Sequence, residues 1–174
     1  AGSALLKAAT GENATNSDIG GVEMHSVVTG SVEYLVNDDA ESIITVRKLI
    51  DQLNWNENDA QKTTLNFEDP EYPIEDLAGI VPTDYSKGYD VREVIARLVD
   101  QSGFIELKPK YGISMVCAQA KIEGIQCGII ANNGPIDTKG ATKAAQFIQL
   151  CDQANVPLIF LSNVTGYMVG VKSE

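Results

Sequence analysis

The sequence predicts an α/β fold made of parts of two units, on three observations. An apolar run, Gly128-Ile129-Ile130-Ala131, ends in the small polar loop Asn132-Asn133-Gly134. A helical stretch follows, and a second apolar run, Val156 to Leu161, ends in a second small polar loop, Asn163-Val164-Thr165-Gly166-Tyr167. Chains of this pattern place ligands at the carboxyl ends of buried strands, where backbone groups face the pocket. The third observation is a pair of amphipathic stretches, each opening on an acidic cap, at Asp38 and Asp90, with a polar segment carrying Pro70 and Pro73 between them.

Residues 1–55 read as one unit. Leu5 to Ala9 suits a short helix stopped by Gly11, and Asn13 to Gly21 reads as loop, with Gly20-Gly21 permitting a tight turn or a close backbone approach. Ser31 to Val36 alternates like a short strand. Asp38 then caps a helix, with Glu41 in the reciprocal capping position and Ile43, Val46, Ile50 and Leu53 on one apolar face that needs a partner surface. Residues 56–76 read as a linker. The second unit, 77–174, opens with a helix capped by Asp90 and Glu93, with Val91, Val94, Ile95, Leu98 and Val99 apolar. Ile113 to Glu123 and Ile125 to Ala131 suit two strands joined at Gly124 as a hairpin. Lys139 to Ala154 suits a helix packed through Ala141, Ala144, Ala145, Ile148 and Cys151. Val156 to Leu161 is too dense in apolar residues for a strand with a wet face.

Composition excludes several classes. The 174 residues are 44% hydrophobic, and no apolar run approaches the ~18 residues of a membrane span. A net charge of −11 opposes nucleic-acid binding, which needs clustered Lys and Arg. Cys117, Cys127 and Cys151 lie in apolar segments without C-x-x-C spacing, as buried reduced thiols of a cytosolic protein do, and the lone histidine is far from them, which argues against a zinc site. The opening Ala1-Gly2-Ser3 has no initiator Met or signal-type stretch, as expected for the interior of a longer polypeptide.

Side-chain catalysts are sparse: one histidine, no paired nucleophile and base, no ligand cluster. His25, after Gly20-Gly21, is a candidate ligand contact, although capping or packing is the commoner use of such a residue. Asn132-Asn133-Gly134 and Asn163-Val164-Thr165-Gly166-Tyr167 are candidate pocket walls, because a glycine there lets a ligand reach the backbone. Lys139 and Lys143 could meet phosphate, with solvated helix lysines as the ordinary alternative. A backbone-built site suits one reaction class: an acyl thioester that becomes an enolate needs preorganised N–H donors more than a nucleophile.

At these residues the sequence resembles a known family. A-G-x-x-L-x-K-A-A-T-G-E followed by G-G-x-E-M-H-S is similar to the late part of the N-terminal carboxyltransferase domain of biotin-dependent acyl-CoA carboxylases. I-E-D-L-x-G-I-V-P, Y-D-V-R-E-V-I-A-R-L-V-D, K-P-x-Y-G, A-N-N-G, K-A-A-Q-F-I-Q-L-C and N-V-T-G-Y-M-V-G resemble the start of the C-terminal carboxyltransferase domain. The wording is most similar to the branch acting on 3-methylcrotonyl-CoA or geranyl-CoA, and Tyr167 stands where many relatives have Phe.

The resemblance implies a crotonase-like fold in each domain. It implies CoA thioester binding mainly by the N domain, here around Gly20, Gly21 and His25. Biotin, carried by a partner subunit or domain, would be bound mainly by the C domain, here at Asn132, Asn133, Gly134, Asn163, Thr165, Gly166 and Tyr167. Carboxybiotin would supply CO₂ to the carbanion of a branched unsaturated acyl-CoA, with two backbone oxyanion holes serving the thioester and the ureido oxygen. Both holes are expected outside these residues, so the piece alone should be inactive. No metal is implied. The partners implied are acyl-CoA, a biotin carboxylase/biotin carrier subunit, and further carboxyltransferase subunits, as dimers building to a hexamer. The location implied is the cytoplasm, or the mitochondrial matrix in a eukaryote. Alternatives are a propionyl- or acetyl-CoA carboxylase β subunit, a biotin-dependent decarboxylase subunit, and a non-catalytic assembly module.

Overall fold

The computed structural model describes residues 2–53, 67–84, 87–164 and 166–171. Helix α1 (Ser3–Thr10) is ended by Gly11, whose φ of 78° is the left-handed stop the sequence suggests. The stretch expected as loop is instead helix α2 (Asn16–Gly20), because Thr15 accepts from the Asp18 amide at 3.2 Å and Asp18 accepts from the Thr15 amide at 2.9 Å. This is a capping box built with aspartate in place of the usual glutamate. A short helix α3 (Val22–Met24) runs into a wider turn over His25–Thr29, closed by Gly30 at φ 64°.

Ser31 to Val36 forms no strand, a second correction. It finds no ladder to join: the Glu33 carbonyl accepts one backbone bond from Lys108 at 3.0 Å, and Tyr34 packs into the core. Helix α4 (Asp39–Asp51) is capped by Asp38 as expected, but Glu41 turns back to the Asn37 amide at 2.7 Å rather than to Asp38. Its apolar face, Ile43, Val46 and Ile50, is exposed, and so is Leu53, expected on the same face but lying beyond the helix end.

The stretch 67–76 runs against the turn at 100–102: the Gln101 amide donates to the Glu68 carbonyl, and Arg97 lies 5.1 Å over the Tyr72 ring. Helices α5 (Leu77–Ile80) and α6 (Val91–Ile95) follow. Asp90 caps α6 through the Arg92 amide, while Glu93, expected as its reciprocal partner, pairs instead with Arg97 at 2.9 Å.

Four strands form one sheet in the order β1 (Phe104–Glu106), β2 (Met115–Ile122), β3 (Ile125–Asn132), β4 (Leu158–Leu161). The hairpin β2–β3 is the expected one, and both turn residues, Glu123 and Gly124, have positive φ (51° and 75°). That is the backbone a two-residue hairpin turn needs, and Asp100 fixes it by accepting from both amides at 2.8 and 2.7 Å. Strand β4 pairs parallel with β3, which requires a crossover, and helix α7 (Thr138–Gln153) supplies it.

Alternation sorts the core into two layers. Val91, Ile95 and Val99 pack on Val116, Ala120, Cys127, Ile129 and Ala131. On the other side Phe147 and Cys151 pack on Met115, Cys117 and Ile130. Helix α7 thus buries Gly140, Lys143, Phe147 and Cys151, a face rotated from the expected one, with Ala145 and Ile148 exposed. Gly128 permits this approach, since a Cβ there would lie 2.6 Å from Cys151 Sγ. Strand β4 is not dry within this chain: Phe160 is 57% exposed.

Lys143, read as a solvated or phosphate-facing lysine, is fully buried. Its Nζ lies 3.3 Å from Glu106 Oε1, and Arg92 grips the same carboxylate at 2.7 and 2.9 Å. Burial pulls the Lys143 pKa down, opposed by Glu106, and the hydrogen bonds that Arg92 donates to Glu106 raise its own. Removing one partner of a buried ion pair strands the other, at a cost of roughly 3–5 kcal/mol, whereas an apolar replacement of similar volume is often neutral. Glu106→Ala should therefore cost about 3 kcal/mol in urea unfolding and Lys143→Met far less, because Arg92 still satisfies Glu106. Equal losses would contradict this account.

The three cysteines are free and buried. Burial pushes the Cys117 thiol from 9.0 to about 12 and Cys127 to about 11. A thiol whose pKa is raised on folding contributes equally at all pH below 9, and that contribution is lost as pH climbs toward the folded values. At pH 8 the native chain should show no fast-reacting thiol and the denatured chain three. One fast thiol in the native state would overturn the burial.

Candidate functional site

Parallel register from Gly128↔Leu158 to Ala131↔Leu161 sets the carboxyl ends of β3 and β4 side by side. The two polar loops therefore leave the sheet together. Asn132, 6% exposed, pins them: its Oδ1 accepts from the Asn163 amide at 2.6 Å, and its Nδ2 donates to the Asn163 carbonyl at 2.7 Å. Further out, Ile136 and Tyr167 form a parallel bridge, and the Met168 amide donates to the Ile136 carbonyl at 2.8 Å.

A cavity of about 670 Å³ opens beside this junction, lined among others by Lys87, Tyr89, Asn132, Asn133, Gly134 and Asn163. The Asn133 amide donates to the Ser114 carbonyl at 2.7 Å, and its Oδ1 accepts from the Val91 amide at 3.0 Å, capping α6. Asn163 Nδ2 donates to the Tyr89 hydroxyl at 3.1 Å. Gly134 has φ 130°, and a Cβ placed on it would meet nothing within 4 Å. The backbone of that turn is therefore open to an approaching ligand. Behind the loop, Asp137 caps α7 by accepting from the Gly140 amide at 2.6 Å and is held by the Ser114 hydroxyl at 2.7 Å.

Four of the loop residues expected to face a ligand, Asn132, Asn133, Gly134 and Asn163, thus meet at one cavity. Tyr167, 71% exposed, lines a second, mostly apolar cavity of about 360 Å³ with Met115, Ile130, Ile136 and Phe160, and Asn132 borders both. Gly166, at φ 153°, belongs to the second loop but lines neither. Thr165 lies outside the described residues.

Gly20, Gly21 and His25 sit apart, in the α2–α3 corner, and line neither cavity. His25 Nδ1 is 3.2 Å from both Thr29 Oγ1 and Ser31 Oγ, and Gly21 has its Cβ position 2.5 Å from the Ser17 carbonyl. These helices dock on the strip Lys108-Pro109-Lys110-Tyr111-Gly112. Lys110 pairs with Glu23 at 2.9 Å, a Cβ on Gly30 would lie 2.7 Å from the Tyr111 ring, and Lys139 donates to the Val27 carbonyl at 3.3 Å. Sequence reasoning missed Tyr89 and Lys87 as wall residues and the Ser114–Asp137 bond behind the loop. Their contacts are tertiary and leave no local signal.

A family model, the carboxyl transferase domain, matches residues 1–174. The chain belongs to that family. The carboxyl transferase segment is 46% identical over 173 residues to the mitochondrial methylcrotonoyl-CoA carboxylase β chain of Dictyostelium discoideum, covering 99% of this chain and 29% of that protein. Against the β subunit of P. aeruginosa geranyl-CoA carboxylase identity is 46%, with a TM-score of 0.60, over 99% of this chain and 32% of the other. The 12S transcarboxylase, solved as a hexamer assembly with hydrolysed methylmalonyl-coenzyme A bound, superposes at TM-score 0.88 with 35% identity, over 99% of this chain and 34% of the other. The segment therefore spans about a third of the proteins it matches, and its mixed α/β architecture is part of the crotonase-like carboxyltransferase fold.

The polar wall of the larger cavity is mainly amide: Asn133, Gly134 and Asn163, with Tyr89 and Lys87. Such a wall can donate and accept hydrogen bonds to a flat polar ring without supplying a nucleophile. Asn132→Ala would leave the Asn163 amide and carbonyl unpaired, a loss of about 2–3 kcal/mol. Asn132→Asp would set a carboxylate oxygen against the Asn163 carbonyl. Both variants should unfold at lower urea than the parent, and unchanged midpoints would show that Asn132 does not hold the loops together.

Proposed function

We propose that this chain is a segment of an acyl-CoA carboxylase β subunit. The complete subunit would transfer CO₂ from carboxybiotin to a branched unsaturated acyl-CoA of the methylcrotonyl or geranyl type. The observation that carries the reading is the 46% identity, over 99% of the chain, to a methylcrotonoyl-CoA carboxylase β chain and a geranyl-CoA carboxylase β subunit, against 35% to the 12S transcarboxylase.

In this reading residues 1–55 end an N domain, 56–76 link, and 77–174 begin a C domain. The cavity at Asn132–Gly134 and Asn163 is the biotin side, with Gly166, Tyr167 and Thr165 in the adjoining loop. Gly20, Gly21 and His25 belong to the CoA side. Two features support the biotin side: Gly134 leaves its turn open, and Asn132, Asn133 and Asn163 line the opening. Carboxybiotin, delivered by a biotin-carrying partner, supplies the CO₂. This chain's residues bind and orient the ring, and the backbone oxyanion donors come from elsewhere in the subunit. Like the hexameric 12S transcarboxylase, the complete subunit would assemble with further copies. The location is cytoplasmic, or mitochondrial as for the Dictyostelium β chain. Among the described residues no helix is long and apolar enough to cross a membrane.

The test is to express the complete reading frame with its biotin subunit and assay methylcrotonyl-, geranyl- and propionyl-CoA. Carboxylation of a branched unsaturated substrate ahead of propionyl-CoA is expected, and no turnover of any acyl-CoA would reject the reading. Residues 1–174 alone form the control. Each oxyanion-hole donor contributes about 10²–10³ in rate, so this control should not exceed buffer. Product from it would place the chemistry in residues assigned here to recognition.

A further inference from the structure

Both asparagines at the cavity rim have one end of the side-chain amide already engaged. Asn133 Oδ1 accepts from the Val91 amide at 3.0 Å, so its Nδ2, which donates to no described residue, is the end left for the cavity. Asn163 is the mirror case. Its Nδ2 donates to the Tyr89 hydroxyl at 3.1 Å, while its backbone amide and carbonyl are both held by Asn132. The other end of the side-chain amide is engaged by no described residue, and Asn163 lines the cavity. An amide side chain can present either end, and its hydrogen-bond partners decide which. A phenol hydroxyl donates as readily as it accepts, so Tyr89 fixes the plane of the Asn163 amide, with one end on the hydroxyl and the other left for the cavity.

We infer that Tyr89 is a positioning residue of the biotin side: its hydroxyl holds one end of the Asn163 amide and so keeps the other end toward the cavity, where it hydrogen-bonds the ureido group of the ring. The inference rests on the reading of this cavity as the biotin side. It adds a residue outside the two strand-end loops and gives the ligand's orientation a cause. Without the phenol oxygen the Asn163 amide is free to turn out of the cavity. Backbone anchoring by Asn132 would be untouched, so the loops would stay in place and only the placement of this amide would change.

The test uses the complete subunit and free biotin, with two readouts: equilibrium dialysis of labelled biotin, and the Michaelis constants of the complex for biotin and for acyl-CoA. Tyr89→Phe is expected to weaken biotin binding and raise its KM by about 3- to 10-fold, the size of one neutral hydrogen bond, with the acyl-CoA KM and the melting temperature unchanged. Asn163→Ala should do the same. The double variant should be no worse than Asn163→Ala, because a residue acting through another adds nothing once that other is gone. Losses that multiply in the double variant, or a Tyr89→Phe subunit that binds biotin like the parent, would overturn the inference. A fall in acyl-CoA affinity equal to that for biotin would show Tyr89 to be a general structural support and would overturn it equally. Failure of the underlying reading looks different: the parent subunit itself would then bind no biotin.

Discussion

The parallel pairing of β3 with β4 is the constraint on which the rest of the site depends. Antiparallel neighbours could be joined by two residues, as β2 and β3 are at Glu123-Gly124. A parallel pair cannot, and α7 must carry the chain back across the sheet. That crossover does two things at once. It covers one face of the sheet with Phe147 and Cys151, and it brings two carboxyl-terminal strand ends together at one edge. The Asn132 side chain ties the two loops together at their root by pairing with both backbone groups of Asn163. The cavity is the gap left between loops pinned at their root and joined again at Ile136 and Tyr167.

The same crossover explains the buried charges. Helix α7 brings Lys143 beneath the sheet, α6 brings Arg92, and Glu106 at the end of β1 receives both. A carboxylate gripped by a bidentate guanidinium and an ammonium is satisfied, which makes burial of the ions tolerable rather than strongly stabilising. The gain is geometric: three elements meet at one carboxylate. The amino-terminal helices join this body through the Lys108–Gly112 strip, where contacts are polar and close, as at Gly30 against Tyr111. Exposed apolar positions on α4 and at Phe160 mark faces left uncovered among the described residues.

Much of this was legible in the sequence. The hairpin, α4, α7 and the apolar run of β4 each carry a local period or cap, and the polar loops after β3 and β4 point to the cavity before any contact is known. What was hidden is non-local or short. Strand β1 has only three residues, too few to show alternation. Helix α2 was obscured because Asp18 stands where a longer acidic or amide residue usually completes the cap. Lys143 reads as a surface lysine because its partner lies 37 residues away. Tyr89 sits in a motif with a clear helix-capping signal, and its contact with Asn163 spans 74 residues. Family resemblance supplied the chemistry that composition could only bound, since a largely amide-lined crevice suits several ligands.

The most direct test of the account is a structure of the complete subunit with its biotin-carrying partner. The ureido ring is expected against the Asn133-Gly134 turn, within hydrogen-bonding distance of the Asn163 side-chain amide, with the Asn132–Asn163 bonds intact. A ring bound away from both strand-end loops, or a crevice filled by the subunit's own side chains, would contradict it.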